Sequence, residues 1–390
     1  MSGPGFPLNP VLAEVGEYPF LRLDAAKRRV AARGVEIIDF GVGDPREATA
    51  PFIREALAAG IRETMEYPKA VGMPELRAAI ADWIARRFGV RLDPDREVVP
   101  TLGSKEAVFS LAQVVVDPPS GRDLVITTEP GYPVPARGAR FAGGRAMALP
   151  LHESNGFLPD IDAVSAADWA RTAIVWVNYP NNPTGAVAPL AFYERLTELA
   201  ATHGFLIASD EAYSELGLDD ANPVPSALQV RDRSRVCVIN TLSKRSSMTG
   251  YRSGFVAGPP ALIDAHRVFR PTVGTAPQEF VQRAAVAAWG DEAHVREAVA
   301  RYRAKRELLV PVLEARGLRV AASDAAMYLW LRVPEGTMSE AFATDLLERA
   351  GLVLAPGSFL GPSGEGYVRM ALVPTIEQCR RAAALLEDLP

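Results

Sequence analysis

Six short apolar runs between residues 98 and 258 constrain the fold of this chain more than any other feature. They are rich in β-branched residues, apolar on both faces, and separated by helical stretches. The runs lie at residues 98–101, 123–128, 173–178, 205–209, 235–240 and 253–258. A strand that is apolar on both faces must be covered on both sides, which is typical of a parallel sheet between helices. The sequence therefore predicts an α/β fold with a large domain built on a mostly parallel central sheet.

The flanking segments predict a second, smaller α/β domain. After a long helical stretch at residues 291–316, strands and amphipathic helices alternate to the end of the chain, where Thr375 can cap the last helix. Elsewhere, helices are predicted at residues 21–33, 74–88, 189–203 and 339–350, and strands at residues 35–40, 326–332 and 367–373. We expect residues 1–45 to join the small domain, residues 46–285 to form the large domain, and residues 286–390 to form the small domain.

Composition excludes several classes of function. The chain has 390 residues, 48% apolar and 23% charged, with a net charge of −5. It carries no basic tract, so neither nucleic acid nor a membrane surface is an expected partner. No apolar run approaches the roughly 18 residues that span a bilayer, and residues 1–10 do not resemble a signal peptide. Cys237 lies in an apolar run and is expected to be a buried free thiol, which favours a cytoplasmic location.

Polar residues follow five of the six runs. Ligands of parallel α/β sheets bind at the carboxyl ends of the strands, so these residues are the candidates for a site. The first run is followed by a glycine turn that opens a helix, where free backbone N–H groups suit a phosphate. The candidates in chain order are Gly103, Ser104, Lys105, Tyr132, Asn182, Asp210, Tyr213, Thr241, Ser243, Lys244 and Arg252.

Lys244 is one of only five lysines in the chain, against 37 arginines. Arginine replaces lysine in most surface roles, but it cannot lose its proton and attack a carbonyl. A lysine retained after an apolar run therefore indicates Schiff-base chemistry. The alternative for Lys244 alone is an ordinary solvated lysine. Taken singly, Asn182 could form a turn, Asp210 could cap a helix, and Arg252 could pair at the surface.

Together these residue types suit pyridoxal 5′-phosphate, and no metal site is predicted. Lys244 would hold the aldehyde, and Asp210 would keep the ring nitrogen protonated, because an adjacent negative charge favours the cation. Asn182 and Tyr213 can donate to the phenolic oxygen, and the Tyr132 ring can stack on the cofactor. The groups expected around the phosphate are Gly103, Ser104, Lys105, Thr241, Ser243 and Arg252.

Three motifs carry a resemblance over nearly the whole chain. They are YPNNPTG at residues 179–185, DEAY at residues 210–213, and SK at residues 243–244 with an arginine eight residues further on. With separations of 31 residues from Asn182 to Tyr213 and 31 more to Lys244, the chain resembles the class I/II pyridoxal-phosphate aminotransferases of fold type I. The resemblance implies that Lys244, Asp210 and Tyr213 are catalytic.

The same resemblance assigns roles to residues outside these motifs. Tyr67 corresponds to a tyrosine that reaches the phosphate of the neighbouring subunit's cofactor, which implies a homodimer with shared active sites. Gly43 and Arg369 correspond to groups that bind the substrate carboxylate, together with Asn182. Cis peptide bonds are implied before Pro130 and Pro183.

The resemblance to aminotransferases implies a 2-oxo acid as the amino acceptor, for which 2-oxoglutarate is expected. The segment SKRSSMTGYRSGFVAG at residues 243–258 is most similar to N-succinyl-diaminopimelate aminotransferases of lysine synthesis. EPGYPVPARGAR at residues 129–140 is nearer to general aminotransferases. The alternatives are therefore a general aminotransferase acting on aspartate, aromatic amino acids or LL-diaminopimelate, a pyridoxal-phosphate lyase of the same fold, and a non-catalytic ligand sensor. Residues 245–247 and 271–280 are candidate contributors to specificity.

Overall fold

The computed structural model describes residues 8–15 and 20–388. Residues 1–7, 16–19 and 389–390 lie outside the described residues. The helices are α1 (Val11–Val15), α2 (Phe20–Ala31), α3 (Pro51–Ala59), α4 (Pro74–Phe88), α5 (Ser104–Val115), α6 (Val134–Phe141), α7 (Ala166–Arg171), α8 (Leu190–His203), α9 (Leu242–Arg245), α10 (Pro260–Thr272), α11 (Glu279–Gly290), α12 (Ala293–Ala315), α13 (Ser339–Ala350) and α14 (Ile376–Asp388). None of these helices is long and apolar enough to cross a bilayer.

Three sheets are present in this part of the chain. The strands are β1 (Ile38–Asp39), β2 (Val98–Thr101), β3 (Leu124–Glu129), β4 (Arg145–Pro150), β5 (Thr172–Asn178), β6 (Leu206–Asp210), β7 (Val236–Thr241), β8 (Gly254–Ala257), β9 (Val320–Ala322), β10 (Tyr328–Arg332), β11 (Leu352–Val353), β12 (Ala355–Pro356) and β13 (Tyr367–Ala371). The large sheet has the order β2-β8-β7-β6-β5-β3-β4, a four-stranded sheet has the order β12-β13-β10-β9, and β1 pairs with β11.

The prediction of a mostly parallel central sheet is confirmed, with one exception. Strand β8 runs antiparallel to both of its neighbours, β2 and β7, whereas the remaining pairings are parallel. Only the single turn α9 and a short 3-10 turn lie between β7 and β8, so no long helix carries the chain back across the sheet face. The start of β8 therefore lies at the same sheet edge as the ends of β2 and β7.

The sequence analysis did not identify strand β4. Most of its side chains are partly or fully exposed, because β4 is an edge strand that pairs only with β3. Its apolar pattern is accordingly weak. The helices predicted at residues 74–88 and 339–350 have the same bounds in the structure. Thr375 caps α14, since its Oγ1 accepts a hydrogen bond from the Gln378 backbone N–H at 3.2 Å.

Most buried side chains belong to two large groups. One group lies on both faces of the large sheet, and the other lies between α12, α14 and the four-stranded sheet. Strand β1 pairs in parallel with β11, so the segment that precedes residue 45 packs beside the C-terminal part of the chain. The domain boundaries at residues 45 and 285 stay a prediction.

Glu153 joins the loop after β4 to the four-stranded sheet. Its Oε1 lies 2.6 Å from Arg319 Nη1, and its Oε2 accepts hydrogen bonds from Arg332 at 2.6 Å and from the Tyr367 hydroxyl at 3.1 Å. The hydrogen bond from Arg319, followed by those from Arg332 and Tyr367, outweighs the effect of burial and lowers the pKa of Glu153 to about 2.

We expect Glu153→Gln to lower the free energy of unfolding at pH 7 by about 1–2 kcal/mol, because two charged partners lose their carboxylate. A depressed carboxyl pKa contributes stability above the unfolded value of about 4.3, and this stability is lost as the pH falls toward 2. The difference in the free energy of unfolding between wild type and variant should therefore decrease as the pH falls below 5. Thermal unfolding at several pH values measures it.

The matched control is Glu198→Gln, which removes one carboxylate of an exposed ion pair with Arg195. We expect that variant to unfold like the wild type at every pH, because exposed ion pairs contribute little. A Glu153→Gln variant with a destabilisation independent of pH would contradict the electrostatic explanation.

Candidate active site

A cavity of about 620 Å³ opens at the carboxyl edge of the large sheet. The structure brings twelve of the fourteen candidate residues to its wall. Ten of them lie at the ends of β2, β3, β5, β6 and β7 or before the start of β8, which meet there, whereas Gly43 follows β1 and Arg369 lies in β13. The twelve are Gly43, Ser104, Lys105, Tyr132, Asn182, Asp210, Tyr213, Thr241, Ser243, Lys244, Arg252 and Arg369. The other two candidates, Gly103 and Tyr67, do not line the cavity of their own chain.

Lys244 lies in the single-turn helix α9, with its Nζ donating to the Gly43 carbonyl at 2.6 Å. Burial lowers the pKa of Lys244 to about 8, and the nearby cations Arg369 and Arg252 act in the same direction. The carboxylates of Asp44 and Asp210 oppose this shift. A substantial fraction of the amine is therefore neutral near pH 8, which is the state that attacks a carbonyl.

Asp210 ends strand β6 and faces the same cavity. Its Oδ1 accepts a hydrogen bond from the Ala212 backbone N–H at 3.2 Å. Burial raises the pKa of Asp210 to about 6, while the hydrogen bond from Ala212 and the charge of Lys244 partly offset the effect. A carboxylate in this environment favours a cationic group beside it, such as a protonated ring nitrogen.

Helix α5 begins at the cavity, and Gly103 is its N-cap with a φ of 71°. A Cβ on Gly103 would collide with the Arg252 guanidinium, so glycine permits both the left-handed backbone and the close approach of this cation. The Thr241 and Ser243 hydroxyls lie 2.9 Å apart on the opposite side of β8. Backbone N–H groups, two hydroxyls and a guanidinium form a suitable cradle for a phosphate.

Arg369 projects from β13 toward the large domain. It donates to Asn182 Oδ1 at 2.8 Å and to the Gly41 carbonyl at 2.6 Å, while its Nε is buried and has no hydrogen-bond partner among the described residues. A guanidinium fixed by two hydrogen bonds still has N–H donors to spare, which suits it to a carboxylate. Gly43 lies at the same wall.

Tyr213 is held by Tyr328, a residue that the sequence analysis did not identify. The two hydroxyls lie 2.7 Å apart, and the Arg369 guanidinium lies 4.8 Å from the centre of the Tyr328 ring. Burial raises the pKa of Tyr213 well above its usual value, so its hydroxyl keeps its proton as a donor. Tyr328 could not be recognised from the strand pattern, because an apolar strand with an aromatic residue is equally typical of an ordinary core.

Asn178 is the second functional candidate that sequence reasoning missed. Its Nδ2 donates to the Asp210 carbonyl at 2.8 Å, and its Oδ1 accepts from the Asn182 backbone N–H at 2.8 Å. Asn178 thus ties the ends of β5 and β6 together beneath the cavity. Its position as the last residue of an apolar strand was a usable signal. The backbone is cis before Pro130 and Pro183, as expected, and also before Pro180.

Tyr67 is fully exposed, so its own chain gives it no contact with the cavity. The side chains of Arg245 and Ser246 are also absent from the cavity wall. Of residues 271–280, Val273 and Thr275 line a neighbouring groove, and none lines the cavity. The candidate specificity segments at residues 245–247 and 271–280 therefore do not reach the catalytic cavity within one chain.

The residues present fit pyridoxal 5′-phosphate. The cavity combines an amine of lowered pKa, a buried carboxylate, a phosphate cradle and the Tyr132 ring, with Lys105 Nζ 5.7 Å from the centre of that ring. The Arg369 guanidinium at the same wall adds a position for a substrate carboxylate. An aldehyde, a pyridine nitrogen, a phosphate and an α-carboxylate each have a complementary group in this one cavity.

Comparison with known proteins agrees with this geometry. An LL-diaminopimelate aminotransferase of Nitratidesulfovibrio vulgaris is 39% identical over 389 residues, covering 98% of this chain and 99% of that protein. A crystal structure of an aminotransferase from Neisseria meningitidis matches with a TM-score of 0.90 and 37% identity, covering 97% of this chain and 99% of that one. A probable N-succinyldiaminopimelate aminotransferase from Thermus thermophilus matches with a TM-score of 0.87 and 33% identity, covering 95% and 99%.

The family model for aminotransferases of class I and II matches residues 35–386, which include every candidate residue of the cavity. The family match and the geometry of the cavity indicate the same pyridoxal-phosphate chemistry. The chain belongs to the class I and II aminotransferases, fold type I enzymes that use pyridoxal 5′-phosphate to exchange amino groups between amino acids and oxo acids.

Proposed function

We propose that this aminotransferase takes the amino group of LL-diaminopimelate, an amino acid of lysine biosynthesis, and passes it to 2-oxoglutarate. The observation that carries the proposal is the 39% identity, over nearly the whole of both chains, with an LL-diaminopimelate aminotransferase. The second candidate donor is N-succinyl-LL-diaminopimelate. Two observations favour this donor. Residues 243–258 are similar to N-succinyl-diaminopimelate aminotransferases, and the chain resembles the Thermus thermophilus structure.

Charge at the cavity wall supports the free amino acid over its succinylated form. Asp24 and Asp44 both line the cavity, in addition to Asp210. A distal ammonium group is attracted by such carboxylates, whereas succinylation converts this group into an amide and adds a carboxylate. Lys27 lies 2.5 Å from Asp24 and neutralises part of its charge. We therefore expect Asp44 to attract the distal ammonium group more strongly than Asp24 does.

Each of the main cavity residues would have a separate role in the reaction. When bound, pyridoxal 5′-phosphate supplies the aldehyde carbon and a ring that accepts electrons. Lys244 would hold that aldehyde and later carry the proton taken from the substrate Cα. Asp210 would keep the ring nitrogen protonated, and Arg369 would bind the α-carboxylate, with the Gly43 backbone beside it.

The remaining residues would orient the cofactor. Asn182 and Tyr213 would donate to its phenolic oxygen, and the Tyr132 ring would stack on its face. The phosphate would be held by Gly103, Ser104, Lys105, Thr241, Ser243 and Arg252. Both cysteines are buried free thiols, and we propose a cytoplasmic location.

Lys244→Arg tests the assignment of the lysine. We expect the variant to lose the visible absorption of the lysine-bound cofactor and to lower kcat by about a hundredfold or more, because arginine cannot release its proton. Absorption spectra and steady-state rates measure both effects. The exposed Lys69→Arg serves as the control and should behave like the wild type. A Lys244→Arg variant with a normal spectrum and normal turnover would refute the assignment.

We also propose a homodimer in which Tyr67 completes the site of the other subunit. A groove beside the cavity is lined by apolar side chains, including the partly exposed Phe109 and Phe141 and the exposed Val273. Lys105 and Arg252 line both this groove and the catalytic cavity. A second copy covering the groove would lie next to the phosphate cradle, where an exposed tyrosine can reach.

Mixing two deficient variants tests this shared site. In a mixed dimer of Tyr67→Phe and Lys244→Arg, one of the two sites receives an intact lysine from one chain and an intact tyrosine from the other. We expect about a quarter of all sites to be intact after random exchange, and activity at limiting cofactor to exceed that of either variant alone. Activity equal to the average of the two separate variants would contradict the shared site.

A panel of amino donors with 2-oxoglutarate tests the proposed substrate. We expect kcat/KM for LL-diaminopimelate to exceed that for aspartate or an aromatic amino acid by at least about tenfold, since only diaminopimelate presents a distal ammonium group. Higher activity with N-succinyl-LL-diaminopimelate would establish the second candidate. Arg369→Lys is the matched control and should weaken every donor alike, because all donors share the α-carboxylate.

A further inference from the structure

The two residues that follow Lys244 point away from the cavity and into the protein. Arg245 is almost fully buried, with its guanidinium 4.8 Å from the Trp289 ring and 5.7 Å from the Trp83 ring. It donates to the Ala288 carbonyl at 2.8 Å and to Glu292 Oε2 at 2.9 Å. Arg245 therefore attaches the lysine turn to the junction between α11 and α12.

Ser246 makes a second connection to the same junction. Its Oγ lies 2.8 Å from His294 Nε2, and His294 Nδ1 lies 2.6 Å from Asp291 Oδ1. Asp291 also accepts a hydrogen bond from the His294 backbone N–H at 3.0 Å. Since a carboxylate only accepts, the imidazole proton resides on Nδ1 and the Ser246 hydroxyl donates to Nε2.

Burial lowers the pKa of His294, so the neutral ring that this arrangement requires is the form present near pH 7. The Phe52 ring packs edge-on against the imidazole, with the ring centres 5.6 Å apart. The order serine, histidine, aspartate is also that of a hydrolytic triad. Ser246 is only 3% exposed and does not line the catalytic cavity, so no substrate reaches its hydroxyl there.

The connection is made close to Lys244 along the backbone. The Ser246 backbone N–H donates to the Leu242 carbonyl at 3.1 Å and closes the turn that carries the lysine. The other end of this turn is capped by Thr241, whose Oγ1 accepts from the Ser243 backbone N–H at 3.1 Å. A shift of Ser246 would therefore displace the base of the Lys244 side chain.

Helix α12 continues from this junction into the second group of buried side chains. Lys305 in α12 donates to the Leu372 carbonyl at 3.2 Å, three residues beyond Arg369. One helix thus contacts the lysine turn at its first residues and the segment after the arginine strand further along.

We propose that His294, oriented by Asp291, is a positioning residue. Through its hydrogen bond with the Ser246 hydroxyl, it fixes the position of Lys244 relative to the carbon at which the reaction occurs. Reacting groups must be aligned within a fraction of an ångström, and misplacement by about 1 Å can cost about a hundredfold in rate. The inference rests on the proposed role of Lys244. The Lys244→Arg spectrum tests that role separately, because His294 variants keep the lysine.

His294→Phe removes the hydrogen bond and retains a ring against Phe52. We expect kcat to fall by about tenfold while KM for the amino donor changes by less than about twofold, because Arg369 is untouched. The pH midpoint of the visible absorption of the bound cofactor should shift. Ser246→Ala removes the same hydrogen bond from the other side and should shift the midpoint in the same direction.

Two further variants separate positioning from a merely structural role. His294→Gln should restore most of kcat, since its carbonyl oxygen can accept from Ser246. The double variant Ser246→Ala/His294→Phe should be no slower than the slower single variant, because both remove one interaction. His203→Phe replaces a histidine stacked on Trp169, remote from the cavity, and should leave kcat and the midpoint unchanged.

A lower melting temperature with unchanged kcat and an unchanged spectroscopic midpoint in both single variants would overturn the proposal. Multiplying losses in the double variant would also overturn it, because the two side chains would then act independently. If His294→Phe does not fold, Ser246→Ala decides the question alone, since it removes a single oxygen atom.

Discussion

The burial of the Lys244 amine is the constraint on which the rest of the site depends. An ammonium group loses hydration when it is enclosed, and here Arg369 and Arg252 add like charge to that cost. Asp44 and Asp210 oppose the effect, and the pKa of the amine is lowered to about 8, so the group can gain or lose its proton near that pH. The sheet is what makes this balance possible, because it places groups from distant parts of the sequence around one nitrogen.

The supports of the site come from both layers of the structure. The strand ends of the large sheet provide Asp210 and Asn178, which are joined by a hydrogen bond through the backbone. The four-stranded sheet provides Tyr328 and Arg369, which approach the same cavity from the opposite side. The cavity consequently exists only where the two sheets meet, and the contacts of Glu153 across the same boundary belong to the same arrangement.

Much of the architecture was accessible from the sequence because burial leaves a direct pattern. A strand enclosed on both faces is apolar throughout, so the inner strands were recognisable, whereas the half-exposed edge strand β4 was not. The chemical candidates were recognisable for another reason. The polar residue that ends an apolar strand stands out, and Asp210 and Lys244 follow that rule. Asn178 follows it too. Tyr328 has no such signal, because its role becomes visible only from the contact of its hydroxyl with Tyr213 in the folded chain.

The sequence by itself determined the α/β class, the inner strands of the large sheet, and the set of groups that a pyridoxal-phosphate aminotransferase requires. Periodicity and local residue chemistry extend over only a few residues, so they can be read directly from the sequence. Only the tertiary structure decided that β8 runs against its neighbours, that Arg245 and Ser246 face away from the cavity, and that His294 lies behind the lysine turn. These features depend on contacts across tens of residues of sequence, and side-chain direction at such distances is fixed by packing rather than by local pattern.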